Sequence, residues 1–220
     1  MVTDQTGSVE QLIDLGAAPK TRRAIVRRPT DSALVLGSTQ SVGDLDDAAL
    51  LTRGLRALKR RSGGGGVLVG PGAQVWVDLF VPADDVLYEH DVARAAHFVG
   101  ELWQAVFDTT APESDYRIVV GRADRDDWSK RVCFAGIGPG EVCRGARKLV
   151  GVSQRRSREG AWFFTMAMRT FDAGLHAALL AREGADESAL RTHLEGCVAT
   201  LSTPAETVTA SMAVLLSDHA

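Results

Sequence analysis

Cysteine is scarce in this chain: Cys133, Cys143 and Cys197 are the only three in 220 residues. They are too few and too unevenly spaced for a disulfide framework, and no Cys-x-x-Cys pair or His/Cys cluster has zinc-ligand spacing. Aromatic residues make up only 6 % and the formal net charge is −3. With no helix-turn-helix or RNA-binding signature either, nucleic acid is not the expected partner. No apolar run approaches the ~18 residues of a membrane span. The opening MVTDQTGSVE lacks the basic and apolar regions of a signal peptide. The expectation is a cytoplasmic protein without a membrane partner, and the sequence has no internal repeat or long linker.

What is present is ordinary globular composition, 45 % hydrophobic and 24 % charged. Against ~150 residues per domain, the length points to one domain over 1–220, large enough to bury roughly 70 % of its unfolded surface. Charge is segregated along it. Basic residues crowd Lys20 to Arg28, Arg53 to Arg61 and Arg144 to Arg158, and acidic ones crowd Asp44 to Asp47 and Asp84 to Asp91. The first basic cluster reads as a solvated face. The other two abut glycine-rich or irregular segments, a placement that suits a small anionic ligand held by backbone and guanidinium together.

Strands are expected over residues 24–28, 33–37, 117–120, 131–135, 147–153 and 162–168, and a hairpin over 67–69 and 74–81 around Gly70-Pro71-Gly72. Val75, Val77, Leu79 and Val81 alternate with Trp76, Asp78 and Phe80 at the strand period. Leu51, Leu55 and Leu58 at helical spacing predict a helix from Asp46 to Arg61. The clearest helix is Asp91 to Phe107, with Val92, Ala95, Ala96, Val99, Leu102, Trp103 and Val106 on one stripe. Gly136 to Gly140 is a turn cluster, and helices are expected over 172–182, 187–201 and 204–217. The last has Thr203 as cap, Pro204 at the first helical position and Glu206 completing a capping box. The fold class is α+β: a mixed, mostly antiparallel sheet flanked by helices.

Gly63 to Gly66 form four glycines in a row between an arginine-rich segment and an apolar strand. Flexible linkers continue in polar sequence, whereas this run is clamped on both sides. Glycines there let the backbone approach a ligand closely or adopt positive φ. No Gly-Lys-Ser/Thr follows, and no helix opens on a Gly-x-Gly-x-x-Gly pattern, so the two common nucleotide-loop folds are set aside.

Lys59-Arg60-Arg61-Ser62-Gly63-Gly64-Gly65-Gly66-Val67 resembles the Arg-Arg-x-Ser-Gly-Gly-Gly-Ala-Val signature of lipoate–protein ligases, which are related to biotin–protein ligases. Arg147-Lys148-Leu149-Val150-Gly151-Val152-Ser153-Gln154 is similar to the family's Arg-Lys-x-x-Gly-x-Ala-Gln stretch, and Gly138 to Val142 stands where the family has Gly-Arg-Asn-Asp-Ile. Leu36 to Gln40 is a looser likeness to the early Gly-x-x-Gln. The matches come in family order. Within the signature Lys59 stands for the first Arg and Gly66 for Ala, and three further features differ: Leu68, Val69 and Gly70 replace an aromatic residue, His and Asp; Trp162 to Thr165 stand where many members have His-His-Gly; and Gly140 replaces Asn.

The resemblance implies an ATP- and Mg²⁺-dependent ligase. It would adenylate lipoate, octanoate or a similar medium-chain acid and pass the acyl group to a lysine of a lipoyl carrier domain. Such carriers belong to 2-oxoacid dehydrogenase acyltransferase subunits and the glycine cleavage system. It also implies that Lys148 is the catalytic clamp on carboxylate and α-phosphate. Arg60, Ser62, Gly63, Gly64, Gly65, Gly66, Glu141, Gly151 and Ser153 would line the adenylate site, with no metal-binding residue. The expectation is no room for the accessory C-terminal domain of the longer lipoate ligases, so either a separate subunit is a candidate partner or the protein does without one. Trp76, Phe80, Trp162 and Phe163 are candidates for an apolar tunnel, or for plain core. Rival readings are a thioester-dependent octanoyltransferase, a biotin ligase lacking its Gly-Arg-Gly-Arg signature, and a non-catalytic binding member of the fold. The transferase needs a thiolate nucleophile, yet Cys133 and Cys143 precede Lys148, and Cys197 reads as core beside Leu194, Val198 and Leu201.

Overall fold

The computed structural model describes residues 1–45, 47–112, 115–121, 126–181 and 184–218. Its larger sheet has seven strands: β1 (Val2–Gly7), β2 (Arg23–Pro29), β6 (Gln74–Pro82), β10 (Gly160–Met168), β9 (Arg147–Arg156), β8 (Val142–Arg144) and β7 (Tyr116–Ile118), in that spatial order. Only β1 and β2 pair in parallel; the other neighbours are antiparallel. A smaller sheet sets β3 (Ala33–Leu36) between a parallel β4 (Arg56–Lys59) and an antiparallel β5 (Val67–Val69). The α+β class expected from the sequence is the one observed.

β6 lies near the middle of the larger sheet and is buried on both faces. Val75, Val77, Leu79 and Val81 meet the stripe of α3 (Val92–Thr110), Val99, Leu102, Trp103 and Val106, with α7 (Ala205–Asp218) adding Val208 and Met212. Asp91 caps α3, its carboxylate accepting from the Arg94 N–H at 2.8 Å. The opposite face, with Trp76 and Met168, packs a second core against the smaller sheet, α1 (Val9–Ile13), α5 (Ala173–Leu180) and α6 (Gly184–Cys197). Each large apolar side chain buried this way contributes roughly 1.5–3 kcal/mol relative to its exposed state.

Several expectations are corrected. The helix expected to run from Asp46 to Arg61 is only α2 (Asp47–Thr52), Asp46 itself lying outside the described residues. Gly54, at φ +63°, turns the chain, and Arg56–Lys59 then hydrogen-bond along β3, so backbone pairing overrides the leucine periodicity. Leu51 is accordingly 78 % exposed. Residues 131–135 are not a strand: α4 (Asp127–Arg131) ends there, and Val132 makes a single bridge to Gly66 before the chain turns. β5 and β6 are not a hairpin, since they belong to different sheets and Gly70-Pro71-Gly72 only redirects the chain. β1 and α1 were not expected from the polar N-terminal sequence. Ser8 and Gln11 form a reciprocal capping box that starts α1.

The strand expected over 117–120 is β7, which stops at Ile118. The three C-terminal helices appear with shifted ends, and Arg182 and Glu183 lie outside the described residues. After Cys197 the chain leaves α6, and the Ala199 N–H donates to the Lys148 carbonyl at 2.8 Å. Leu201 therefore joins the main core instead of the helix. Among the described residues no helix is long and apolar enough to cross a membrane.

Candidate functional site

The tetraglycine segment is a turn between β4 and β5, held from within by Arg60. The Arg60 guanidinium donates to the carbonyls of Gly63 (2.7 Å), Gly65 (2.9 Å) and Val35 (3.2 Å), and to Ser62 Oγ (3.2 Å). Burial pulls its pKa below the usual arginine value, although arginine stays charged in proteins. Arg60 therefore shapes the loop; its donors are aimed at the loop's own oxygens. Gly64 has φ +98°, a conformation that favours glycine. Gly37, at the end of β3, comes so close that a Cβ there would lie 1.8 Å from the Gly64 carbonyl oxygen. Gln40 closes the back of this arrangement, accepting from the Gly37 N–H at 2.9 Å and donating to the Arg131 carbonyl at 3.0 Å. Among the described residues no acceptor meets the N–H groups of Gly63, Gly64 and Gly65. Gly63 and Gly64 are exposed, so these donors remain available to an anion.

Ser62 is buried, and its hydroxyl lies 3.0 Å from that of Ser153, tying the loop to β9. Gly151 sits one pleat away, where a Cβ would crowd Phe134 and the Lys148 side chain at 3.3–3.4 Å. Lys148 is the second residue of β9 and is almost fully buried. Its Nζ lies 2.6 Å from Glu141 Oε1, donates to the carbonyls of Cys133 (2.8 Å) and Gly136 (3.2 Å), and stands 4.9 Å from the Phe134 ring centroid. Burial alone would lower the Lys148 pKa, but the Glu141 carboxylate outweighs it and holds the ammonium charged. Burial pushes the Glu141 carboxyl up against the pull of that ammonium. The Gly138 and Val152 N–H groups also donate to Glu141, at 2.7 and 3.2 Å.

Lys148 and the glycine loop meet through one residue. The Cys133 N–H donates to the Gly66 carbonyl at 2.9 Å, while the Cys133 carbonyl accepts from Lys148. The fold thus gathers Arg60, Ser62 and the four glycines with Glu141, Lys148, Gly151 and Ser153 from two distant stretches, 60–66 and 141–153. An apolar pocket opens beside them, lined by Leu12, Val35, Val67, Trp76, Phe164 and Met166 among others, with Asp78 at its floor. Its enclosed space of about 50 Å³ is well below the ~300 Å³ of pockets that hold drug-sized ligands, so the walls must part to admit an acyl chain. Of the four aromatic residues considered for a tunnel, Trp76 alone lines this pocket. Phe80 and Trp162 pair with each other at 5.0 Å, and Phe163 faces the α3 core.

The fold has counterparts among solved structures. A bipartite lipoate–protein ligase from Thermoplasma acidophilum, described together with its E2 lipoyl domain, superposes with a TM-score of 0.73 at 11 % identity, over 99 % of this chain and 82 % of that one. Lipoate–protein ligase A bound with ATP gives 0.69 at 14 %, over 99 % and 83 %. A biotin protein ligase from Aquifex aeolicus, in complex with biotin and ATP, gives 0.50 at 10 %, over 99 % and 68 %. This chain has the lipoate–protein ligase fold. No family model and no curated protein matches the sequence, so the likeness is one of structure.

Within the ligase fold two features depart from expectation. Where the motif's His-Asp pair is missing, an imidazole arrives from α5: the Leu68 N–H donates to His176 Nε2 at 3.2 Å, and His176 Nδ1–H donates to the Asp172 carbonyl at 2.7 Å. Burial lowers the His176 pKa, so this ring is neutral and fully used in packing. The second is Cys133, which precedes Lys148 in the chain. Cys133 lines the pocket, and its N–H and carbonyl join the glycine loop to Lys148. Burial raises the Cys143 thiol, and raises that of Cys197 to about 11, so neither is suited to act as a thiolate. No spacing rule in the sequence marks Cys133, because its neighbourhood forms only in the fold.

Proposed function

We propose that this chain is an acyl–protein ligase. It would activate lipoate or a similar medium-chain acid with ATP and transfer the acyl group to a lysine of a lipoyl carrier domain. The observation that carries this reading is a buried Lys148, held charged by Glu141 and joined through Cys133 to a glycine loop with free N–H donors, beside an apolar pocket that Arg60, Cys133, Gly151 and Ser153 help to line.

The acid's carboxylate attacks the α-phosphate of ATP, forming the P–O bond of an acyl-adenylate and expelling pyrophosphate. Two anions must approach each other, so fixed positive charge and backbone N–H groups lower the barrier. All three Lys148 donors are taken in the resting structure. Contact with the adenylate therefore means exchanging one carbonyl of the Cys133–Gly136 turn for a ligand oxygen. The carrier amine then attacks the acyl carbon, an amide forms and AMP leaves. Among the described residues no cluster of three or more His, Cys, Asp or Glu could hold a metal. Magnesium on the nucleotide's phosphates would ease the departure of pyrophosphate. The bipartite relative offers a precedent for a separate accessory subunit and for an E2 lipoyl domain as acceptor.

Cys133 favours a second reading, transfer from a carrier-protein thioester without ATP. The thiolate would attack the thioester carbonyl, releasing the carrier's thiol, and the acyl group would pass from sulfur to the acceptor lysine. Pyrophosphate exchange with ATP and lipoate, octanoate or biotin separates the two. Acid-dependent exchange that persists in Cys133→Ser supports the ligase. No exchange, together with a mass shift of Cys133 on incubation with an octanoyl thioester, overturns it in favour of the transferase. Neither activity, with tight carrier binding, leaves a non-catalytic domain.

A further inference from the structure

The pocket's floor is built by strand register. One cross-strand row runs Ile25, Asp78, Phe164, Ser153, and the next runs Arg27, Trp76, Met166, Gly151. At ~4.8 Å per strand, Asp78 stands roughly 10 Å from Ser153 across the sheet, about the reach of an extended medium-chain acid whose carboxylate lies beside Ser153 and Lys148. Leu12, Ile13 and Leu15 cover the space between, so the walls are hydrocarbon and the far end is not.

That far end is a buried ion pair. Asp78 is wholly buried and Arg27 is 4 % exposed; Arg27 Nε donates to Asp78 Oδ2 at 2.7 Å, and Trp76 Nε1 donates to Oδ1 at 2.7 Å. Arg27 is anchored in turn by Gln5 Oε1. A buried ion pair is weak support for stability, since apolar replacement of both partners is often neutral or favourable. A carboxylate can accept about four hydrogen bonds, and each Asp78 oxygen has one donor here. Burial raises the Asp78 pKa to about 6, so the group is ionised at neutral pH despite its surroundings.

We propose that Asp78, oriented by Arg27 and Trp76, selects acids that carry a hydrogen-bond donor at the tail, such as a terminal hydroxyl or a ureido N–H, over plain alkyl acids. The inference rests on the reading that this pocket holds the acyl chain. A hydrocarbon tail leaves the spare acceptor sites of Asp78 without donors, whereas a donor tail fills one. A hydrogen bond to a charged acceptor is expected to favour the donor acid by roughly ten- to a hundred-fold in affinity.

Calorimetric titration of the full chain with octanoate, ω-hydroxyoctanoate, lipoate and biotin tests this without needing turnover. The expected result is tighter binding of ω-hydroxyoctanoate than of octanoate, and loss of that preference when Asp78→Leu is combined with Arg27→Met, which removes both charges together. Equal affinity for the two acids in the unaltered protein, or a preference that survives the double substitution, overturns the inference and leaves the acyl pocket standing. Failure of all four acids to bind overturns the acyl pocket as well.

Discussion

Lys148 keeps a charge where water scarcely reaches it, and Glu141 is the reason. Removing one member of such a buried pair strands the other, at a cost of about 3–5 kcal/mol. Lys148→Met should therefore destabilise the fold by that amount in urea unfolding, and abolish pyrophosphate exchange. The double variant Lys148→Met with Glu141→Gln, which removes both charges and keeps an acceptor for the backbone N–H groups, should regain most of the stability and none of the exchange. Full stability without activity assigns Lys148 to the chemistry; exchange surviving in the double variant would remove it from the mechanism. Glu141 does not leave a free carboxylate in the site, since both of its oxygens are bonded to the protein. The motif likeness could not say so, because it aligned a residue type and not a partner.

At the scale of elements, the glycine loop and the end of β3 form one unit although some 25 residues separate them. Gly37→Ala would drive a methyl group into the Gly64 carbonyl, and overpacking of this kind costs about 1–3 kcal/mol. The expected outcome is faster hydrogen exchange over residues 62–66 and a fall in any pyrophosphate exchange; unchanged protection would show that the loop is set elsewhere. Strands with clean alternation, such as β6, and the long stripe of α3 were legible because one period dominates each. The segment after α2 was not. Its leucines fit a helix, yet β3 offered a free edge, and hydrogen bonding along that edge decided the outcome. Residues 131–135 differ for a related reason: their valine and aromatic content suits a strand, but their pairing is one isolated bridge at Gly66, whose N–H donates to the Arg131 carbonyl and whose carbonyl accepts from the Cys133 N–H.

For the whole molecule, stability should depend on pH through the charge buried beneath the pocket. The Asp78 carboxyl titrates at about 6 in the fold and near 3.9 when unfolded. The folded state therefore holds this proton more tightly, so the associated stability is full below pH ~4 and is lost as pH rises through ~6, on the order of 3 kcal/mol in total. His176 acts in the opposite sense, since its lowered pKa contributes stability that fades as pH falls below ~6.5. Comparing urea midpoints of the unaltered chain and Asp78→Asn isolates the carboxyl. Their difference should drift against the unaltered chain between pH 4 and 6, and a flat difference would contradict the burial-driven shift.

The amino-acid order alone determined the α+β class, the main helices and strands, and the resemblance that singled out Lys148 and the glycine run, because periodicity and short motifs are local properties. Tertiary structure decided what those residues do to each other. It turned Arg60 inward to brace the loop, locked Lys148 onto Glu141, joined Lys148 to the glycine loop through Cys133 and set Asp78 at the end of an apolar pocket. Burial and pairing across strands arise only when distant segments meet, and they are what give a charged or nucleophilic side chain its chemistry.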